Sequence, residues 1–504
     1  MRTNYFSKIC LLMLAVPVLY ACKKSWLEVD TTGLNIESNY YSNPNEAFAG
    51  LVSAYDPLGM ETAGTYANKL GPLNAASDDC NAGGAAGGND MNTWQVWNNY
   101  TLTPAVGPQM EYWTRNFTGV SRVNIILSKL GGVPGLSDAL KTRYTAEAKF
   151  LRAYYYFDLV RLFGNVPLFV EPIPTEQIFT QVQVPAAETY AQIEKDLKEA
   201  IPGLPITVPV ATEGGRATQG AAKALLGKVI LFQNNNARMA EAAALLDDVN
   251  KVGNVYGYAF MTNFGDIFRP DRKFNSESIF EISHTAIANG NWGNWGGVEG
   301  NVYTQMIGPR AYNGTIYETG WGFSPVRKEL RDLLYGDPRY QYTVADMDSM
   351  VSSGAAVSYE PSYQNTGYFI QKFAPLKQWR SSGGGNVELN YLNNVIEIRL
   401  ADTYLMQAEC LLRATAPDAV KAGNLLNAVR ARVGLGPVAA TLDNIALERR
   451  KELATEGHRW FDLVRTGKAA TALAGKGFTA GKHELLPIPL TELTNTKLVQ
   501  NPNY

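Results

Sequence analysis

The stretch from Ile396 to Arg465 constrains the fold more than any other, because its apolar residues repeat at the spacing of three successive buried helices. The first helix would bury a stripe between residues 401 and 412, and Asp418 would open the second. Gly434 would end that second helix, and Asp443 would cap a third. The pattern predicts a mainly α protein whose neighbouring helices pack as pairs.

The third helix, which we expect to continue as far as Trp460, is dense in charge. Two of its carboxylates could serve glycoside hydrolysis if they lay roughly 5–10 Å apart across a cleft. Each acid also has a basic neighbour at helical reach, so the alternative is a set of structural ion pairs. We favour that alternative and predict the pairs Arg449–Glu452, Glu456–Arg459 and Arg459–Asp462, with Glu448 as a further acid.

Similar helical patterns precede this stretch, and the region from 254 to 394 interrupts them. That region is rich in Gly, Asn, Tyr and Trp, and it contains short strand-like pieces at 278–282 and 368–373. A loop-rich region of this length in a compact protein is more often functional than idle. We therefore expect it to form the face that meets a ligand.

Aromatic residues beside glycine-rich loops are the best candidates for that ligand site. The chain is 11% aromatic, with 27 Tyr and 9 Trp. Trp94, Trp97 and Tyr100 follow a glycine-rich loop, and their helical spacing fits a core stripe and a stacking platform about equally well. Asp79, just before the loop, and Asn81, its first residue, could add hydrogen bonds to sugar hydroxyls.

A second aromatic set lies in the loop-rich region itself. Glycines flank Trp292 and Trp295, which would keep their rings accessible to a sugar, although each ring could instead pack under its own loop. The motif Gly320-Trp321-Gly322 is interpreted as structural. We predict a ligand site that combines Trp292 and Trp295 with the first aromatic set.

The N-terminus has the pattern of a bacterial lipoprotein signal. Residues 1–21 carry Arg2 and Lys8 before an apolar run, and Leu19-Tyr20-Ala21 precedes Cys22. Cys22 would then become an acylated N-terminus that anchors the protein to a membrane. Ordinary signal-peptidase cleavage near Ala21 is the alternative.

Several chemistries are not expected. The net charge of −2 provides no basic field for nucleic acid. The three histidines are scattered, and neither an HExxH motif nor a Cys-x-x-Cys pair occurs. We predict no catalytic residue, no metal site and no cofactor. Cys80 and Cys410 are the two cysteines of the body, and the sequence leaves their pairing open.

Three ordered blocks of the C-terminal half resemble the signature of the SusD/RagB family of outer-membrane nutrient-binding lipoproteins. The blocks are Ile398-Arg399-Leu400-Ala401-Asp402-Thr403-Tyr404-Leu405-Met406-Gln407-Ala408-Glu409, Asn427-Ala428-Val429-Arg430-Ala431-Arg432, and Glu448-Arg449-Arg450-Lys451-Glu452-Leu453 followed by Glu456-Gly457-His458-Arg459-Trp460-Phe461-Asp462-Leu463. In the N-terminal half, the run from Leu151 to Leu168 is also similar to the family.

The resemblance implies tetratricopeptide-like helix pairs that form one body with a loop-rich insertion. It divides the chain into a signal peptide (1–21), an N-terminal helical region (22–253) and a C-terminal region that carries the insertion (254–504). The implied function is capture of an oligosaccharide at the cell surface and delivery to a TonB-dependent outer-membrane transporter, without enzymatic activity. Uptake of peptides and, less expected, glycoside hydrolysis by an all-helical enzyme are the alternatives.

Overall fold

We analysed a computed structural model that describes residues 40–59, 68–88, 90–293 and 298–504. The predicted signal peptide and Cys22 lie outside these ranges, and so does Trp295. Within them the protein is mainly α, which confirms the predicted fold class. No helix of the described ranges is long and apolar enough to cross a membrane.

The helices fall into two series, separated by a region of loops and short elements. The first series is α1 (Pro44–Gly59), α2 (Leu70–Ala76), α3 (Asn92–Asn98), α4 (Gln109–Lys129), α5 (Asp138–Phe163), α6 (Ala186–Ala200), α7 (Val210–Glu213), α8 (Gln219–Phe232) and α9 (Met239–Asn250). Short helices follow: α10 (Val302–Ile307), α11 (Lys328–Leu334), α12 (Tyr340–Thr343) and α13 (Met347–Ser352). The last series is α14 (Leu400–Arg413), α15 (Ala419–Arg432), α16 (Leu442–Glu452), α17 (Arg459–Arg465), α18 (Ala469–Ala472) and α19 (Leu490–Leu493).

The long helix α5 lies at the centre of the first series. It begins where the Ser137 hydroxyl accepts a hydrogen bond from the Leu140 N–H, as an N-cap residue does. Its apolar residues face all directions, and Phe150, Leu151 and Tyr155 are fully buried. Such a helix needs neighbours on every side. Helices α4 and α6 pack against it, as the all-round apolar pattern requires.

Helix pairs also join the two series. Helix α9 packs against α8 before it and against α14, which lies about 150 residues further along the chain. Helix α14 in turn packs against α15. Asp418 caps α15 by accepting from the Lys421 N–H at 2.9 Å, as predicted. One hydrophobic core therefore contains residues from both predicted regions, from Ala47 to Ile488. The division at residues 253 and 254 stays a prediction.

The predicted third helix of the C-terminal stretch is two helices in the structure, so that prediction is wrong in extent. Helix α16 ends at Glu452, and α17 begins at Arg459. Thr455 and Gly457 between them have φ angles of 68° and 79°, which an α-helix cannot contain. The N-cap is also Thr441 rather than Asp443, since the Thr441 hydroxyl accepts from the Asn444 N–H.

Among the described residues, three two-stranded antiparallel sheets lie in the loop-rich region or directly after it. The strands are β1 (Ser278–Ile282), β2 (Arg310–Gly314), β3 (Val344–Asp346), β4 (Ala356–Glu360), β5 (Tyr368–Ile370) and β6 (Val395–Arg399). They pair as β1 with β6, β2 with β4, and β3 with β5. The first predicted strand matches β1, and the second is shorter than expected. Because β6 leads directly into α14, the β1–β6 pair fixes the loop-rich region to the helices.

Candidate functional site

The first predicted aromatic set belongs to the core. Trp94 is 1% exposed and Trp97 is fully buried. The Trp97 ring packs edge-on against Trp460 with the centroids 5.2 Å apart, and the Tyr100 hydroxyl donates to the carbonyl of Ala76. A ring without a solvent-facing surface cannot stack on a sugar. The prediction of a stacking platform at these three residues is therefore wrong, and the core-stripe alternative is correct.

Asp79 is also structural rather than a sugar-binding residue. Its side chain is buried, and the Arg450 Nε donates to its Oδ1 at 2.9 Å. Burial raises the pKa of Asp79. The neighbouring Asp78 accepts from the Arg459 Nε at 2.7 Å. The two acids thus fix this loop to helices α16 and α17.

Asn81 is half-buried and lies where two loops meet. Its Nδ2 donates to the carbonyl of Gln364 at 3.3 Å, and its Oδ1 lies 3.5 Å from the Arg327 Nη1. These contacts use its amide to join loops, so direct binding of a hydroxyl by Asn81 stays a prediction.

Two tryptophans of the loop-rich region, Trp292 and Trp321, lie side by side. Trp292 is 39% exposed, and Trp321 is half-buried. Their ring centroids are 6.1 Å apart and their planes are inclined by 32°. The Trp292 N–H donates to the Asn386 Oδ1 at 3.1 Å, which fixes the backbone below the ring. We call these two rings the Trp292–Trp321 surface.

Glycines on each side of Trp321 allow its backbone to take this position. A Cβ on Gly320 would lie 2.2 Å from the Cα of Gly308, and Gly322 has a φ of +75°. The Trp321 N–H donates to the Gln305 carbonyl at 3.1 Å. The sequence assigned this motif a structural role, and these contacts agree with it. The sequence did not indicate that the Trp321 ring lies beside Trp292.

The glycine-rich loop at 83–88 lies next to this surface. The Gly84 N–H donates to the Gly322 carbonyl at 3.0 Å, and the Tyr363 N–H donates to the Gly84 carbonyl at 3.0 Å. The glycine-rich loop that precedes the first aromatic set therefore lies beside the Trp292–Trp321 surface. Tyr363, which the sequence did not single out, is half-buried beside them.

The carboxylates of α16 belong to a buried ionic cluster. Glu452 is fully buried and accepts from the Arg339 Nη1 at 2.8 Å and the Arg399 Nη1 at 2.6 Å. Arg432 also contacts it. Burial opposes ionisation, but these three guanidinium groups hold the pKa of Glu452 well below its usual range.

The structural role predicted for the charged residues of this stretch is therefore supported, whereas the predicted ion-pair partners are wrong. Arg449 pairs with Asp402 at 2.7 Å and with Asp462, and it does not pair with Glu452. Glu456 pairs with Arg399 and Lys372. The reason is that these side chains face the core, where they pair with oppositely charged groups from other elements rather than with their neighbours at helical spacing.

An acid–base pair for glycoside hydrolysis needs two carboxyl groups that reach a substrate. Glu448, Glu452 and Glu456 are 2%, 0% and 6% exposed, and each has a cationic partner. His284 and His458 have pKa values lowered by burial to about 4. Cys80 and Cys410 are both buried free thiols. Within the described ranges, no group of three His, Cys, Asp or Glu side chains could hold a metal ion.

Comparisons with known proteins agree with the mainly α fold. A sequence model described as "SusD family" matches residues 276–504, and one described as "Starch-binding associating with outer membrane" matches residues 53–231. A curated relative, SusD-like protein P25 of Formosa agariphila, is 25% identical over 443 residues, or 78% of this chain and 80% of that protein.

Solved structures are similar over nearly the whole chain. A laminarin-binding SusD-like protein is 46% identical, with a TM-score of 0.88 over 92% of this chain and 100% of that one. Surface glycan-binding protein A from Bacteroides thetaiotaomicron, in complex with laminarihexaose, is 29% identical, with a TM-score of 0.82 over 91% of this chain and 99% of that one. The chain belongs to the SusD family.

Proposed function

We propose that this protein binds a glycan of the laminarin type at the cell surface through the Trp292–Trp321 surface. The observation that carries the proposal is the pair of adjacent indole rings, 6.1 Å apart, of which Trp292 is 39% exposed. Two similar solved structures support the ligand class, because one is named for laminarin binding and another contains laminarihexaose.

Stacking suits a sugar because each pyranose face presents C–H groups to an aromatic ring, while its hydroxyls require neutral polar partners. Such partners are present here. Asn291 is exposed next to Trp292, and Asn386 lies below it. The Asn291 Oδ1 accepts from the Gly293 N–H at 3.0 Å, so its Nδ2 is oriented away from that bond. The rings would provide the contact area for the sugar, and the amides would fix its orientation.

The proposal is tested by titrating laminarihexaose into the protein without residues 1–22 by calorimetry. Trp292→Ala should weaken binding by about 1–3 kcal/mol, the scale for a truncated interface anchor, with an unchanged melting temperature. Tyr335→Ala is the matched control, because Tyr335 is also an exposed aromatic, at 73%. Equal affinities for Trp292→Ala and wild type would contradict the proposed site.

We also propose that the protein is anchored to the outer membrane through an acyl group on Cys22. The sequence Leu19-Tyr20-Ala21-Cys22 after an apolar run supports this, and so does the description of the matching N-terminal family model, which names association with the outer membrane. Cys22→Ala should move the protein from the membrane fraction to the soluble fraction and abolish labelling by a fatty acid. Cys10→Ala is the control, since Cys10 lies within the apolar run and should have no effect.

The anchored protein would pass its glycan to a TonB-dependent outer-membrane transporter. This partner is what the resemblance to the SusD/RagB family implies. Cross-linking in native outer membranes followed by purification of the tagged protein should recover such a transporter in amounts comparable to the bait. Recovery of the bait without a transporter would contradict the proposed delivery.

A further inference from the structure

A second pocket in the loop-rich region also has the composition of a carbohydrate site. Its volume is about 310 Å³. The pocket lies between the loop at 263–270 and the segment 371–379. Its polar and aromatic lining includes Trp379, Arg269, Asn263, Gln371, Gln378 and Asn393. One indole ring among four amide side chains is a combination suited to a neutral, hydroxyl-rich ligand.

Trp379 is half-buried and held in place by a cation. The guanidinium carbon of Arg269 lies 5.2 Å from the centre of the indole ring, a cation–π distance. Arg269 itself pairs with Asp266 at 3.0 Å and with Asp271 at 2.8 Å. The ring is thus oriented by a guanidinium group that is itself paired with two carboxylates.

The amides of the pocket still have hydrogen-bonding capacity. Asn393 lines the pocket and is 5% exposed. The Asn301 Nδ2 donates to the backbone carbonyl of Asn393 at 2.8 Å, which leaves the Asn393 side-chain amide available for a ligand. The Gln371 Oε1 accepts from the Tyr317 hydroxyl at 2.6 Å, and the Asn263 Oδ1 accepts from the Gly265 N–H at 2.9 Å. These bonds use the carbonyl oxygens and leave the Nδ2 and Nε2 groups as donors.

The buried lysine at the pocket wall is directed elsewhere. The Lys372 Nζ donates to the Glu456 Oε1 at 2.6 Å and to the Glu452 carbonyl at 2.9 Å. Every charged side chain at this pocket therefore has an opposite charge nearby, so an acidic or basic ligand would find no unpaired ion there. Neutral hydroxyls, by contrast, match the amides.

We propose that the Trp379 pocket is a second carbohydrate-binding site of this protein, separate from the Trp292–Trp321 surface. It would bind a neutral sugar unit by stacking on Trp379 and by hydrogen bonds to Asn393, Gln371 and Asn263. The inference rests on the proposed function, because it assigns the same class of glycan to a second site.

The two sites are joined by paired backbone segments. Tyr317 and Leu376 form an antiparallel bridge, and the Lys377 N–H donates to the Ile316 carbonyl at 2.9 Å. Trp321 follows Tyr317 by four residues and Trp379 follows Leu376 by three, so along the chain the two tryptophans lie beyond opposite ends of this antiparallel pair. A polysaccharide has enough sugar units to contact both sites, whereas one sugar unit does not.

The test uses laminarihexaose and laminarin as probes in calorimetry. Wild type should bind two hexaose molecules, and both Trp379→Ala and Trp292→Ala should bind one. Affinity for laminarin should fall at least about tenfold in Trp379→Ala, because binding at two linked sites strengthens the overall association. Arg380→Ala is the matched control: Arg380 follows Trp379 and its side chain is 54% exposed, and the variant should behave as wild type.

The outcomes separate this inference from the proposed function. The second site would be overturned, and the first kept, by the following result: Trp379→Ala binds laminarihexaose with wild-type stoichiometry and laminarin with wild-type affinity, while Trp292→Ala loses binding. Failure of wild type to bind either probe would overturn both. If Trp379→Ala does not fold, Asn393→Ala replaces it. Loss of one hexaose site in that folded variant supports the inference, and unchanged stoichiometry overturns it.

Discussion

The C-terminal helices and the loop-rich region before them use polar and aromatic residues in opposite ways. In the helices, carboxylates such as Glu452 are buried among arginines. In the loops, Trp292 and Trp379 reach the surface, and the charges beside Trp379 pair with each other. Polar chemistry thus stabilises the helical part, while the loop region leaves rings and amides for a ligand. The difference suggests that substitutions in the two regions should affect different properties.

The largest expected effect is on stability, from Glu452→Gln. The substitution leaves Arg339, Arg399 and Arg432 with less compensation for burial, which should lower the free energy of unfolding by about 3–5 kcal/mol. Denaturant titration measures this change, and laminarihexaose binding by the folded variant should remain. Glu329→Gln, at an ion pair whose acid side chain is 59% exposed, is the control and should cost less than about 1 kcal/mol.

Loss of binding by Glu452→Gln at unchanged stability would break the distinction between the two regions. It would assign the ionic cluster to the function and revive the hydrolase alternative. Assays for new reducing ends with laminarin would then decide between binding and hydrolysis.

A comparison of two tryptophans sharpens the contrast within one residue type. Trp97→Ala removes a fully buried ring and should lower the free energy of unfolding by about 3–5 kcal/mol without changing affinity in the folded fraction. Trp292→Ala should weaken laminarihexaose binding and leave the free energy of unfolding unchanged. Melting and binding measurements on both variants check this. Equal losses of stability would show that Trp292 is a packing residue.

An intermediate effect is expected where the backbone below Trp321 needs a glycine. Gly322→Ala places a Cβ 2.7 Å from the Arg310 Cγ at a φ of +75°. The strain should cost about 1–3 kcal/mol of stability and also weaken laminarihexaose binding, because the Trp321 ring moves. Gly336→Ala is the control, since it has a φ of +82° but open space around its Cβ. Weakened binding in both variants would show that the effect is general destabilisation.

The smallest effect concerns pH. Burial lowers the pKa of His284 to about 4, whereas the unfolded chain binds a proton near pH 6.5. Between these values the unfolded state holds one more proton, so the folded state loses stability as pH falls. Relative to His284→Gln, wild type should lose up to about 1.4 kcal/mol per pH unit from pH 6 to 5. Parallel pH profiles for the two proteins would contradict a neutral buried His284.

The helices could be predicted because their signals are local. Apolar spacing between residues 401 and 412 located α14, and Asp418 marked the start of α15 correctly. The break between α16 and α17 was missed, because Gly457 is its one helix-ending residue type and Thr455 takes a left-handed conformation that its type disfavours. Only the surrounding structure imposes that conformation.

The candidate site was harder to predict because exposure is a tertiary property. Trp94 and Trp292 both occur near glycines, yet one is 1% and the other 39% exposed. Likewise, the acids of α16 have basic neighbours at helical spacing, but their partners come from β6, α15 and the loop before α12. Trp379 carries no flanking glycines and was not singled out. What indicates a binding role for Trp379 is the set of amide side chains that the fold places around it.

The loop at residues 77–80 has a consequence for how the protein reaches its native state. Asp78 contacts Arg459, and the Lys476 Nζ donates to the carbonyls of Ser77 and Cys80 at 2.8 and 3.0 Å. These partners are synthesised almost 400 residues after the loop. Contacts this distant in the chain form slowly, because a long loop must close first. The nascent N-terminal half therefore carries unmatched acids and apolar faces until the last helices emerge.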